Sequence, residues 1–288
     1  MTALSPLTSK VLTALFAGLL VVLCALLSDC TTLDRDAHAD ALAAPFQLHR
    51  EQVKTEHFVL TAFARITRAD QPLTVYIEGD GLAWISRTEP SADPTPRMAT
   101  ALALAAADPA PNVVYLARPC QFTPMALNPL CAAPYWTGKR FAPEVVASMN
   151  EAVSRFAAKV PGQPVHLVGY SGGGAVAVLV AARRADIASI RTVAGNLDTE
   201  FINRLHDVSA MPESLNPIDA ASRVAMVPQL HFSGADDTVV PPDVAQRFVR
   251  ATGGRCAQAN IVPGLDHSGD WAGQWPALLP LAPACKAR

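Results

Sequence analysis

Ser171 lies in the run Gly169-Tyr170-Ser171-Gly172-Gly173, with a glycine two positions away on either side. A serine hydroxyl attacks a carbonyl carbon when a base takes its proton, and a carboxylate that orients the base makes it effective. Two later segments offer such partners, Gly234-Ala235-Asp236-Asp237-Thr238-Val239-Val240-Pro241 and Leu265-Asp266-His267-Ser268. Ser171 as nucleophile, an aspartate of the first segment as orienting acid and His267 as general base would perform covalent acyl transfer. Each also has a plainer reading. Short glycine motifs recur by chance around an incidental serine, an aspartate can close its own turn, and a lone loop histidine is commonly a surface residue.

These residues need elements to position them. Residues 164–177 read as a short apolar strand, a tight turn and a helix of small residues, the setting in which a serine is held at a strained tip. Gly169 and Gly173 are small enough to let strand and helix approach. The turn aims the Gly172 N–H and the helix N-terminus at the place where negative charge develops during acyl transfer.

Around this segment the chain alternates short β-branched or aromatic runs with Ala-rich amphipathic runs, the pattern of a parallel sheet covered by helices. The expected strands are 58–66, 73–78, 112–117, 165–169, 190–194, 229–233 and 259–262. The expected helices are 96–107, 143–160, 172–184, 199–208 and 241–252, with Thr95 capping the first ahead of Pro96 and Gly253-Gly254 ending the last. Both the acidic segment and the histidine segment follow strands, the end of a parallel sheet where sites assemble.

Taken together, Glu78 to Gly81, Gly169 to Gly173, Gly234 to Pro241 and His267 resemble the α/β-hydrolase superfamily over roughly residues 70 to 275. The resemblance implies a mostly parallel central sheet of eight strands flanked by helices and an acyl-enzyme mechanism; the short segment 196–229 gives the expectation of a short or absent lid. It favours Asp237 as the acid, because the superfamily's phrase is Gly-x-x-Asp before an apolar pair and Pro; Asp198, after the strand at 190–194, is a rarer position for it. It also implies that Tyr76-Ile77-Glu78-Gly79-Asp80-Gly81 supplies the second oxyanion donor, with the N–H groups of Asp80 and Gly172 forming the hole. The superfamily's usual His-Gly is here Glu78-Gly79. An Asp80 carboxylate facing the oxyanion would repel it, so its side chain is expected to turn away. A metal or phosphate site in this acidic turn is disfavoured, since two carboxylates without a histidine are a poor ligand set and repel phosphate.

No cofactor is implied, and the expected partner is a small acyl substrate. Ester cleavage is the expected activity; a peptidase, thioesterase or acyltransferase would use the same residues, and a silent hydrolase-fold binding module of the cell envelope is the alternative outside catalysis. The segment 196–229 is short and mildly apolar, which disfavours a large lid. Tyr135, Trp136, Trp84 and Phe122 are candidates for an acyl pocket or for ordinary packing beneath a loop.

The chain has 288 residues, half of them hydrophobic, and a net charge of −2, enough apolar material for one core and no basic stripe for nucleic acid. Lys10 precedes an uncharged apolar run, 11–27, that reads as an export signal or anchor. Leu27-Ser28-Asp29-Cys30 resembles a lipobox, with Cys30 as the lipidation candidate although Asp29 departs from the pattern. Ala37-His38-Ala39 fits ordinary signal peptidase, with cleavage before Asp40, and an uncleaved anchor is the third reading. The expected organisation is a leader over 1–30, a linker over 31–50 and a single domain over 51–288, exported to the periplasm or envelope and held at a membrane through its N-terminal lipid or anchor. Outside the leader, four cysteines suggest disulfides Cys120–Cys131 and Cys256–Cys285 in an oxidising compartment. A zinc site is disfavoured, because no CxxC spacing occurs.

Overall fold

The computed structural model describes residues 34–286; the apolar run 11–27 and Cys30 lie outside the described residues. The strands are β1 (His49–Lys54), β2 (Val59–Ile66), β3 (Leu73–Ile77), β4 (Asn112–Leu116), β5 (Val165–Tyr170), β6 (Ile187–Val193), β7 (Gln229–Gly234) and β8 (Ala257–Val262). They form one sheet in the order β1-β2-β4-β3-β5-β6-β7-β8. β2 pairs antiparallel with both β1 and β4, and every other neighbouring pair is parallel. β3 and β4 are buried along their whole length, as apolar central strands covered on both faces should be.

The helices are α1 (Arg35–Ala43), α2 (Thr100–Ala106), α3 (Pro143–Ala157), α4 (Gly172–Ala181), α5 (Thr199–Leu205), α6 (Pro242–Ala251) and α7 (Trp271–Leu278). α3, α4 and α6 pack into a core on one face of the sheet, and α1, α2 and α7 into a second core on the other. α3 starts on Pro143 and buries Val145, Val146, Met149, Ala152, Val153 and Phe156, a stripe with helical spacing. α4 is apolar on every side and buries all ten residues, so it lies sandwiched rather than at the surface. Between β6 and β7 the chain forms only α5 and a 3-10 segment, Pro217–Val224, before re-entering the sheet.

The structure departs from the sequence reading at several elements. The span expected as a linker to residue 50 carries α1, whose Ala39 and Ala43 are buried, and the start of β1. Thr95 does not cap a helix: its hydroxyl accepts the Phe122 N–H at 3.0 Å, and α2 opens only at Thr100. α7 contains Pro276, which reads as a helix breaker, yet Trp271 and Trp275, one turn apart, are fully buried and hold the segment in the core. Disulfides join Cys120 to Cys131 and Cys256 to Cys285, the pairing expected from their positions along the chain. Thr95, whose carbonyl receives the Arg35 guanidinium at 2.7 Å, places the start of α1 beside the loop that leaves the C-terminal edge of β3.

Candidate active site

Ser171 stands between the end of β5 and the start of α4 with φ 50° and ψ −119°, a conformation in which L residues are strained. The neighbouring glycines make that turn possible. A Cβ added to Gly169 would overlap the Gly173 carbonyl, and one added to Gly173 would overlap the Ile77 and Glu78 carbonyls, so β5, α4 and the end of β3 meet backbone to backbone. The Ser171 hydroxyl lies 3.0 Å from Nε2 of His267, and Nδ1 of His267 lies 2.9 Å from Oδ2 of Asp237. The other Asp237 oxygen accepts the N–H groups of Val239 and Val240 at 2.9 and 2.8 Å, which fixes the buried carboxylate in one orientation.

The alternative acids are placed elsewhere. Asp236 is exposed in the turn beside Asp237. Asp198 is buried, but it caps α5 through the Phe201 N–H and pairs with Nε of Arg247 at 3.0 Å. The His267 loop is held by its own carbonyl, which accepts the Tyr170 hydroxyl at 3.0 Å and the Trp271 indole N–H at 3.2 Å.

Facing Ser171, the turn after β3 presents Gly79 so closely that an added Cβ would stand 3.3 Å from the Cβ of Ser171. Among the described residues, neither the Asp80 N–H nor the Gly172 N–H has a protein acceptor. The Asp80 side chain does not swing out to solvent. Its carboxylate packs against Gly172 and is gripped by Arg118 Nη1 on Oδ1 at 3.1 Å and Arg140 Nη1 on Oδ2 at 3.2 Å. Glu78 points the opposite way, into the interior, where Oε1 accepts the N–H groups of Gly79 at 2.9 Å and Ala101 at 3.4 Å. It thus ties the turn to the first turn of α2. Burial pushes its carboxyl up to about 7 against the pull of those N–H groups, because a charge there would lose its hydration.

Of the aromatic residues considered for an acyl pocket, three pack into the body of the protein. Trp136 donates to the Ser91 carbonyl, Tyr135 stacks edge-on against Phe58, and Phe122 is buried under Arg50. Trp84 alone of the four is exposed, on the loop that continues from Gly81. Among the described residues, no group of three His, Cys, Asp or Glu side chains stands close enough to hold a metal ion.

No family model matches the sequence, and no curated protein matches it either. Solved structures resemble it in shape. A puromycin-hydrolysing peptidase of Mycobacterium tuberculosis superposes with a TM-score of 0.56 at 13% identity, over 81% of this chain and 38% of the peptidase. A bacterial membrane phospholipase A gives 0.53 at 14% identity, over 92% of this chain and 97% of its own. An esterase of Pyrococcus furiosus gives 0.56 at 10% identity, over 84% and 94%. The chain has the α/β-hydrolase fold. This chain spans little more than a third of the peptidase but nearly the whole of the other two.

Within this α/β-hydrolase fold, several residues around the site escaped sequence reasoning. Arg118 and Arg140 lie 38 and 60 positions beyond the aspartate they hold, and no motif links them. Tyr170 was visible only as the variable residue of the glycine run. Trp271 stood four residues after His267, a spacing that would have been informative only with α7 already recognised.

Proposed function

We propose that this protein is a serine hydrolase that cleaves carboxylic esters through an acyl-enzyme on Ser171. The reading rests on the unbroken hydrogen-bonded chain from Ser171 through His267 to Asp237, with the serine at the strained tip between β5 and α4. The neighbours matched over most of their own length, a phospholipase and an esterase, support esters over peptides as the substrate class.

In this mechanism the Ser171 oxygen attacks the ester carbonyl carbon while His267 Nε2 takes its proton, and Asp237 stabilises the imidazolium through Nδ1. The carbonyl oxygen becomes an oxyanion that accepts the N–H groups of Gly172 and Asp80, near the positive end of α4. Collapse breaks the bond to the alcohol, which leaves with the proton from His267. Water then attacks the acyl-enzyme with His267 again as base, releasing the acid and restoring the serine. A fluorophosphonate probe tests this directly: the wild type is expected to label, and Ser171→Ala is not. A folded wild type that stays unlabelled and hydrolyses no nitrophenyl ester would remove the reading and leave a binding module.

Export is part of the proposal, and two disulfides fit an oxidising compartment. Cleavage before Asp40 would cut through α1, separating Asp36 from Asp40, both of which pair with Arg50. Processing at Cys30 leaves α1 whole, so we propose the lipidated form. A mature mass corresponding to a free N-terminus at Asp40 would overturn it.

A further inference from the structure

We infer that Arg118 and Arg140 are positioning residues that hold the Asp80 carboxylate out of the oxyanion site while leaving the Asp80 N–H available to it. The inference rests on the hydrolase reading above. Asp80 carries two groups of opposite use, a backbone donor that an oxyanion needs and a carboxylate that an oxyanion repels. The carboxylate packs directly against Gly172, the residue whose N–H is the other proposed donor. Left unpaired there, it would be drawn to the N-terminus of α4 and would compete with the oxyanion for that N–H.

The two arginines oppose this, each taking a different oxygen. They reach Asp80 from separate segments, Arg118 from the loop after β4 and Arg140 from the loop before α3. Both guanidinium groups lie over the Phe141 ring, with centroid distances of 5.2 and 5.6 Å, and Arg118 donates to the Arg140 carbonyl. Phe141 is buried, so the pair has a rigid floor. The same loop that carries Arg118 also fixes the turn itself. Gln121 donates to the Gly79 carbonyl at 3.0 Å and accepts the Arg118 N–H at 3.0 Å. Arg118 and Asp80 are 4% and 18% exposed in their side chains, so water screens this cluster little. Two guanidinium groups against one carboxylate leave a net positive charge beside the oxyanion rather than a negative one.

The test compares Arg140→Met, Asp80→Asn and the double variant in the full chain, by steady-state hydrolysis of a short-chain nitrophenyl ester and by thermal unfolding. Arg140 is the more exposed of the two arginines, so its replacement disturbs the core less than that of Arg118. Arg140→Met is expected to lower kcat about 10-fold with KM changed little, because the carboxylate, with Oδ2 freed and only Arg118 left on Oδ1, opposes charge that exists only in the transition state. Adding Asp80→Asn is expected to restore most of the lost kcat, since the repelling charge is gone. Arg140→Lys keeps a cation near Oδ2 but loses the planar stacking on Phe141, so its kcat should fall between those of wild type and Arg140→Met. A double variant that folds as well as wild type yet stays as slow as Arg140→Met overturns the inference, as does an Arg140→Met enzyme with undiminished kcat. If Arg140→Met unfolds early, Arg140→Gln is read by the same criterion. A wild type that neither hydrolyses the ester nor takes the fluorophosphonate overturns the hydrolase reading, and this inference falls with it; an active wild type with an unrescued double variant overturns the inference alone.

Discussion

Replacing Glu78 by glutamine should make the protein more stable at high pH and leave its stability nearly unchanged in acid. The wild-type carboxyl is buried and titrates near 7 in the folded state, against an ordinary value of 4.5. Between those two values the folded protein binds more protons at this site than the unfolded chain, so stability falls as pH rises through the interval. At about 1.4 kcal/mol per unit, a gap of this size removes about 3 kcal/mol between pH 4.5 and 7, with no further loss above. Glutamine cannot ionise and so escapes the loss. Its carbonyl can keep the Gly79 and Ala101 N–H groups, and its amide can donate to the Tyr115 hydroxyl, which lies beside Glu78 in the interior. Urea unfolding of both proteins from pH 4 to 9, followed by tryptophan fluorescence, measures the difference. It should be flat below pH 4.5, rise to about 3 kcal/mol by pH 7 and level off. Two pH–stability curves that run parallel across the interval would refute a raised, desolvated Glu78.

Asp237→Asn should leave the fold intact and lower kcat on the order of 10⁴-fold, because the amide no longer selects the His267 tautomer, while Asp236→Asn changes kcat little; equal losses in ester-hydrolysis assays would contradict the assignment. Gly173→Ala should destabilise by about 3 kcal/mol or more, since its Cβ would meet the Ile77 and Glu78 carbonyls, main-chain atoms that cannot rotate aside; a melting temperature within 2 °C of wild type, roughly the shift from a 1 kcal/mol change, would refute the clash. His231 is fully buried in β7 and pushed down to about 3 by desolvation, so the unfolded chain binds the extra proton between pH 6.5 and 3 and stability falls as pH falls through that window. His231→Phe should remove an acid-side loss of about 4 to 5 kcal/mol, readable as a flatter urea midpoint between pH 6.5 and 3.

The triad candidates were legible because their signals are local. Gly169 and Gly173 are needed where β5 and α4 cross, and Asp237 and His267 each follow a short apolar strand that the chain marks with its own residues. The central strands β3 and β4 were equally plain, since both faces are covered and their residues are mostly apolar and buried throughout. β1 was not. Its residues, His49-Arg50-Glu51-Gln52-Val53-Lys54, are mostly polar, and an edge strand takes its hydrogen bonds from β2 rather than from any alternation of its own. α7 was hidden by Pro276, and only the burial of Trp271 and Trp275 against the sheet outweighs that signal.

What the sequence by itself determined is therefore the order and local setting of Ser171, Asp237 and His267, and the α/β alternation that brings them to one edge of a sheet. What only the tertiary structure decided is the environment of the turn opposite the serine. Glu78 stands where the usual His-Gly pattern has its histidine, and nothing in its neighbours along the chain says that it turns inward to hold Gly79 and the start of α2. Asp80 reads as a liability until Arg118 and Arg140 are seen on its two oxygens. Charge pairing between residues 38 and 60 positions apart leaves no periodic trace in a sequence, because it depends on where the sheet delivers each loop and not on what stands beside it.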